Sequence, residues 1–266
     1  MAAKGIKIAF FDIDGTLLEF GALDIHDKVK RALRLARERG VKLFLATGRP
    51  PYAIPDFEGV TFDGALCFNG GYCFDESGLI YACPLDKEDV RTVIRNASAM
   101  GLATEVATAR KMGANGYQDE LEEYMEISHH SCDILEDFDE VLEEDIFQLM
   151  LGTTEELDEK LMEGTSRLKV ARWWDKAMDV IPAGCGKAHG IQKVLEHYGY
   201  SRSEAIAFGD GGNDMDMITY AGCGVAMGNA EPVVKAAADY VTDTVAEDGV
   251  AAALYKLVLG EAGEES

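Results

Sequence analysis

Two runs of apolar, β-forming residues constrain this chain most, because polar residues follow each of them at once. The runs are "IKIAFFDI" (6–13) and "VKLFLATGR" (41–49), and neither alternates with polar positions as a half-exposed strand does. The segment between them carries apolar residues at helical spacing, and Gly40 stands where a helix C-terminal cap belongs. The pattern predicts a β-α-β unit in a parallel sheet, where ligands bind at the carboxyl ends of the strands.

A change of pattern then divides the chain. Short strand pairs with more polar alternation occupy residues 102–182, and the buried-strand pattern returns from Lys187. We therefore predict an α/β core with a parallel sheet, formed by residues 1–84 and 183–266. Residues 85–182 are predicted to form an inserted α+β cap domain with an antiparallel sheet, a common way to cover a site.

The charge balance excludes polyanionic partners. The 266 residues include 48 acidic and 25 basic side chains, a formal net charge of −23, which repels nucleic acids and anionic membranes. The six cysteines form no CxxC pair and the five histidines have no zinc spacing. With no apolar run long enough to span a bilayer and no leader-like start, we expect a cytoplasmic protein, a monomer or weak homo-oligomer, that binds a small molecule.

Several polar residues are predicted to meet at one edge of the sheet. Asp12 and Asp14 follow the first strand, Thr47 follows the second, and Asp210 in "AFGDGGND" follows a later one. Lys187 opens the helix that precedes this later strand. Since the carboxyl ends of parallel strands share an edge, three carboxylates, a hydroxyl and an ammonium would lie together.

This set of groups suits phosphoryl transfer, which depends on charge neutralisation and positioning. Asp12 and Asp210 are the expected ligands of Mg²⁺, a cation that prefers oxygen. Asp12 is the candidate nucleophile, and Asp14 is the candidate acid and base for the leaving alcohol and the water. Lys187 and Thr47 are expected to hold the transferring oxygens.

Glycines and an arginine complete the predicted phosphate site. Gly15, Gly48 and Gly211 allow backbone N–H groups to approach a phosphate closely. Arg49 has two possible roles that the sequence does not separate, namely binding an anion or fixing the loop after the second strand.

Four motifs, taken in order, resemble those of the haloacid dehalogenase superfamily of phosphatases. They are "DIDGT", "ATGR", the lysine near the end of the insert, and "GDGGND". The position of the insert and four further strings resemble the Cof-type branch with a type 2 cap; the strings are "FNGG", "GCGKAHGI", "MGNA" and "EDGV".

The resemblance implies a Rossmann-like core, Mg²⁺ dependence and an aspartyl-phosphate intermediate. It also implies that the main-chain carbonyl of Asp14 completes the metal site, and that Asp214 supports either the metal site or Lys187. By the same resemblance Asn213 contacts the phosphate and Asn69, in "FNGG", faces the substrate.

The predicted function is a Mg²⁺-dependent phosphatase of small phosphorylated metabolites, such as sugar phosphates or related esters. One alternative is a phosphomutase or phosphotransferase of the same superfamily, which would need a second phosphate site in the cap. Only "TARK" (108–111) and "RLKVARWW" (167–174) are basic there. The other alternative is a non-catalytic sensor of phosphorylated metabolites, which would have no need of Asp14.

Overall fold

The computed structural model describes residues 5–127 and 131–260. Its strands are, in chain order, β1 (Ile8–Phe11), β2 (Lys42–Ala46), β3 (Gly64–Cys67), β4 (Tyr72–Asp75), β5 (Gly78–Ala82), β6 (Glu105–Thr108), β7 (Met112–Ala114), β8 (Ile146–Gly152), β9 (Leu168–Trp174), β10 (Ala177–Pro182), β11 (Ala205–Gly209), β12 (Cys223–Ala226) and β13 (Tyr240–Val241).

Its helices are α1 (Asp27–Glu38), α2 (Lys87–Ala99), α3 (Asp119–Ile127), α4 (Phe138–Val141), α5 (Asp158–Leu161), α6 (Lys187–Tyr198), α7 (Met215–Tyr220), α8 (Pro232–Ala237) and α9 (Gly249–Leu254). A π-helical turn, Tyr255–Leu259, continues α9. Short 3₁₀ turns lie at Pro51–Ala53, Phe68–Gly70, Glu155–Leu157, Arg202–Glu204, Gly212–Asp214 and Val245–Glu247.

The chain divides into two compact units. The first contains Met1–Arg49, Ile54–Tyr81 and Gly186–Ser266, and the second contains Pro50–Ala53 and Ala82–Cys185. The second unit is therefore an insertion in the first, apart from one short turn after β2.

The first unit is built on one sheet, whose described strands follow the order β13-β12-β11-β1-β2-β3-β4-β5. β1 pairs in parallel with β11 and with β2, which places Ala9 opposite Ile206 and Leu43. Every residue of β1 is buried, as expected for a central strand of a parallel sheet. The prediction of an α/β core with a parallel sheet is confirmed.

A short turn separates β11 from the helix that follows it. α7 begins at Met215, and a 3₁₀ turn at Gly212–Asp214 precedes it. The side chain of Asp214 accepts hydrogen bonds from the N–H groups of Asp210 and Gly211. These bonds hold the loop after β11 in a tight turn before the helix begins.

The second unit is an antiparallel sheet, whose described strands follow the order β7-β6-β8-β10-β9. α2 is capped by Asp86, which accepts hydrogen bonds from the N–H groups of Glu88 and Asp89. Val93 of this helix packs in one apolar cluster with Val106 of β6. The predicted α+β insert with an antiparallel sheet is confirmed.

The other face of the second sheet carries buried polar side chains. Successive residues of a strand point to opposite faces, so Glu105 lies on the face away from Val106. Strand pairing places Met150 between Glu105 and Asp179 on this face. Burial raises the pKa of Glu105 to about 8. Burial also raises the pKa of Asp179 to about 6, even though Tyr124 donates a hydrogen bond to its carboxylate.

The substitution Glu105→Gln is expected to remove a loss of stability at higher pH. The pKa of Glu105 rises from 4.5 to about 8 on folding, so the folded state favours the protonated carboxyl group. The stabilisation of the folded state by the protonated Glu105 is complete below the pKa of the unfolded chain. It is lost as the pH rises through the pKa of the folded protein. From about pH 5.5 to about pH 7.5, the wild type should lose roughly 2–3 kcal/mol more unfolding free energy than the variant.

Urea titrations of both proteins at the two pH values check this expectation. The exposed Glu140 of the same unit provides a matched control, and Glu140→Gln should retain the wild-type pH dependence. An equal loss in the wild type and in Glu105→Gln would contradict the pKa assignment.

Candidate active site

The carboxyl ends of three neighbouring strands carry the predicted site residues. Asp12 follows β1, Thr47 follows β2 and Asp210 follows β11. Because β2 and β11 both pair in parallel with β1, these ends lie at one edge of the sheet. Lys187 is the first residue of α6.

Lys187 is the buried cation of this edge. Its side chain is 0 % exposed, and its Nζ donates to Oδ1 of Asp12 at 2.6 Å and to Oδ1 of Asp214 at 2.5 Å. The apolar face of α6, with Ile191 and Val194, packs in the core and holds the lysine in place. Burial lowers the pKa of Lys187, but the charges of Asp12 and Asp214 outweigh burial and raise it overall. The ammonium therefore stays protonated.

Asp214 links this lysine to the loop after β11. Its Oδ2 accepts from the N–H groups of Asp210 at 2.9 Å and Gly211 at 3.0 Å, while its Oδ1 accepts from Lys187. Both oxygens thus accept from protein donors. The geometry favours the role of supporting Lys187, one of the two that the resemblance implied for Asp214.

The three aspartates form a cluster that fits a hard cation. One carboxylate oxygen each from Asp12, Asp210 and Asp214 lies within 4.8 Å of the other two, and Lys187 can balance only one of the three charges. Burial first, and then the charge of Asp214, raise the pKa of Asp12 well above its usual value and that of Asp210 to about 6. A divalent cation with oxygen ligands would compensate this excess of buried negative charge.

Gly15 brings the loop after β1 against Asp210. Its φ is +85°, and a Cβ atom there would lie 2.2 Å from Oδ2 of Asp210. The next residue, Thr16, donates from Oγ1 to Oδ1 of Asp210 at 3.0 Å. Only a glycine permits both the left-handed backbone and this close approach.

Asp14 is not part of the buried cluster and is held by Arg49. The guanidinium donates from Nε to Oδ2 at 2.9 Å and from Nη2 to Oδ1 at 2.7 Å, a bidentate geometry that fixes the carboxylate plane. The structure thus places Arg49 on the predicted acid and base. The sequence left two roles open for Arg49. Its contact with Asp14 favours fixing a neighbouring group over binding a substrate anion.

Thr47, Asn69 and Asn213 also lie at this edge. The N–H of Arg49 donates to Oγ1 of Thr47 at 3.1 Å, and the N–H of Asn69 donates to the carbonyl of Thr47 at 3.0 Å. Asn213 donates from Nδ2 to Oδ1 of Asn69 at 3.2 Å. The Cβ position of Gly48 is 3.3 Å from Nδ2 of Asn69, so the motifs after β2, β3 and β11 are in mutual contact.

Two site residues received no role from the sequence. Asn229, in "MGNA", donates from Nδ2 to the carbonyl of Gly15 at 2.8 Å and to Oδ2 of Asp210 at 3.3 Å. Thr16 donates to the same carboxylate. The sequence indicated these residues only through their positions in the strings "MGNA" and "DIDGT". That both donate to Asp210 is evident only from the structure.

Comparison with known proteins agrees with this arrangement. Residues 9–254 match the family model of haloacid dehalogenase-like hydrolases. The chain belongs to this family. It is 34% identical to YkrA, a candidate phosphatase of Bacillus subtilis, over 95% of this chain and 98% of YkrA. It is 31% identical to YcsE of the same organism, a 5-amino-6-(5-phospho-D-ribitylamino)uracil phosphatase, over 96% of both chains.

Solved structures of this family share the fold. BT1666, a phosphatase of Bacteroides thetaiotaomicron, superposes with a TM-score of 0.87 at 32% identity, over 94% of each chain. BT4131, a subclass IIB sugar phosphatase, gives a TM-score of 0.85 at 32% identity, over 94% of this chain and 98% of its own. The predictions of a Cof-type family member and of a phosphatase are confirmed. Among the described residues, no helix has the length and apolar character of a membrane span.

The substitution Gly15→Ala tests the close approach of the β1 loop to Asp210. The new methyl group would displace the carboxylate, so turnover and Mg²⁺ affinity are expected to fall at least about 100-fold. The backbone strain alone should cost only about 1–2 kcal/mol of stability.

Gly21→Ala separates these two effects. Gly21 has a similar φ of +84°, but nothing lies within 4 Å of its Cβ position. This control should lose stability by a similar amount and keep turnover within about twofold of wild type. Steady-state kinetics, Mg²⁺ calorimetry and thermal unfolding measure the three quantities, and equal kinetic losses in both variants would contradict the steric account.

Proposed function

We propose that this phosphatase hydrolyses small phosphorylated metabolites, sugar phosphates or related esters, through a phosphoryl group carried on Asp12. The observation that carries the proposal is the buried contact of Lys187 with Asp12 and Asp214, beside Asp210. This contact leaves Oδ1 of Asp12 bonded to an ammonium, and the other oxygen of the same carboxylate is the proposed nucleophile.

The proposed reaction has two displacements at phosphorus. In the first, an oxygen of Asp12 bonds to phosphorus as the bond from phosphorus to the ester oxygen breaks, and Asp14 gives a proton to the leaving alcohol. In the second, Asp14 takes a proton from water as the water oxygen attacks phosphorus. Phosphate leaves, and the Asp12 carboxylate is restored.

Mg²⁺ is the proposed cofactor. When bound, it supplies positive charge that reduces the repulsion between the nucleophile and the phosphate oxygens. Asp12 and Asp210 would hold it with carboxylate oxygens and Asp14 with its main-chain carbonyl, while Asp214 acts on the site through Lys187 and the N–H groups it fixes.

The phosphate oxygens are proposed to bind the groups at the edge of the sheet. The donors are the Lys187 ammonium, the Thr47 hydroxyl, the Asn213 amide and the backbone N–H groups beside Gly15 and Gly48. Asn69 orients Asn213 through their hydrogen bond. Arg49 positions Asp14, and the carboxylate must leave the guanidinium, at least in part, to exchange a proton with the alcohol.

The substrate class rests on the relatives and on the charge of the chain. The names of BT4131 and YcsE specify a sugar phosphate and a ribityl phosphate as the esters they act on. A small ester can reach a local cationic site despite the net charge of −23, whereas a polyanion would be repelled.

The cap offers little support for a mutase. In its basic stretches, Arg110 pairs with Glu144 at 2.8 Å and Lys111 with Asp137 at 2.6 Å. Arg172 forms an ion pair with Asp158. These three cations are already compensated by carboxylates, and Lys169 donates to the carbonyl of Cys185 at 2.6 Å, so a second phosphate would have to displace these partners.

The roles of Asp12 and Asp14 predict different losses on substitution by asparagine. Asp12→Asn removes the nucleophile and should abolish phosphate release. Asp14→Asn removes the acid and base, and should lower kcat by about 10²–10⁴-fold. The exposed Asp56 provides a matched control, since Asp56→Asn should retain wild-type turnover.

Phosphate release is measured on sugar phosphates, nucleotides and cofactor phosphates, with Mg²⁺ and with EDTA. The wild type should turn over only with Mg²⁺. If Asp12→Asn kept wild-type turnover, the covalent mechanism would be wrong. Ester binding by the wild type with no release would indicate the sensor, and phosphate transfer to an added alcohol in place of water would indicate the transferase.

A further inference from the structure

The polar face of the cap sheet has hydrogen-bond acceptors that no described residue satisfies. We call Glu105, Gln148 and Asp179 the acceptor face. All three are buried, and they project from the central strands β6, β8 and β10. Within the described part of the chain, both carboxylate oxygens of Glu105 and Oε1 of Gln148 lack a hydrogen-bond partner.

Asp179 is the satisfied member of the acceptor face, because its carboxylate accepts a hydrogen bond from the Tyr124 hydroxyl. The acceptor face therefore contains one satisfied carboxylate, one amide with an unsatisfied oxygen and one unsatisfied carboxyl group.

Glu105 lies diagonally across the strand pair from Gln148. Pairing puts Met150 opposite Glu105 and Ala107 opposite Gln148, and these neighbours have no side-chain donor. Tyr52 lies on the Pro51–Ala53 turn of the same unit. Burial raises the pKa of its phenol, and the nearby charge of Glu105 raises it further. Buried acceptors without donors are strongly unfavourable, and a ligand that brings donors would relieve them.

We propose that Glu105, together with Oε1 of Gln148, binds hydroxyl groups of a polyhydroxylated ligand in the cap. Acceptors at diagonal positions of a sheet suit the spaced hydroxyls of a polyol chain, whereas a ligand without donors would leave them unsatisfied. Glu105 has no exposed surface in this structure, so ligand entry requires its covering segments to move.

Two sources can supply this chemistry: a free polyol, or the alcohol part of a phosphate ester. The second source rests on the proposed function, and the first does not. A binding arm and a kinetic arm, both on the full chain, therefore distinguish the two.

The kinetic arm compares ribitol 5-phosphate with pentyl phosphate, which has the same carbon chain without the additional hydroxyls. Glu105→Met and Gln148→Met, which remove the acceptors, should each lower kcat/KM for ribitol 5-phosphate by about tenfold or more and leave pentyl phosphate within about twofold. Glu140→Met, on the cap surface, should change neither ester. The two variants act on separate side chains, so a folding defect in one leaves the other informative.

The binding arm measures ribitol affinity by calorimetry. Ribitol binding weakened about tenfold or more in the same variants would support a free polyol as the ligand, even if no ester were hydrolysed. A loss specific to ribitol 5-phosphate would support the ester. If both variants bound ribitol as the wild type does and lost turnover on the two esters equally or not at all, the proposal would be overturned.

Discussion

The buried ion pairs of Lys187 are the interaction on which the rest of the active site depends. One ammonium, with no exposed surface, bonds Asp12 and Asp214 from the two loops that follow β1 and β11. Removing such a cation would leave two carboxylates buried without compensation, which is strongly unfavourable. The lysine thus joins the two loops and bonds one oxygen of Asp12, and the other oxygen is the proposed nucleophile.

The remaining negative charge is what a bound cation would have to balance. Asp210 approaches the other carboxylates because Gly15 allows the β1 loop to pass beside it and because Thr16 and Asn229 donate to it. The protein supplies fewer positive charges than negative ones at this edge. This electrostatic deficit is the physical reason to propose a divalent cation, and the same cation would draw a phosphate to an otherwise strongly acidic protein.

Much of this arrangement could be predicted from the sequence, because buried parallel strands appear as uninterrupted apolar runs and their ends share an edge. The partner of Arg49 could not be predicted from the sequence, because the contact of Arg49 with Asp14 depends on the conformation of two loops. The role of Asn229 was hidden for the same reason. Glu105 was missed because "LATEVATAR" alternates as a half-exposed strand does, and local alternation does not show what covers the polar face.

The stereochemical course at phosphorus tests the central claim, which is that Asp12 carries the phosphoryl group. A phosphorothioate ester made chiral with oxygen isotopes is hydrolysed in isotopically labelled water, and the configuration of the released thiophosphate is determined. Two in-line displacements, the first by Asp12 and the second by water, predict overall retention of configuration. Inversion would mean that water attacks the ester directly, and it would contradict the account.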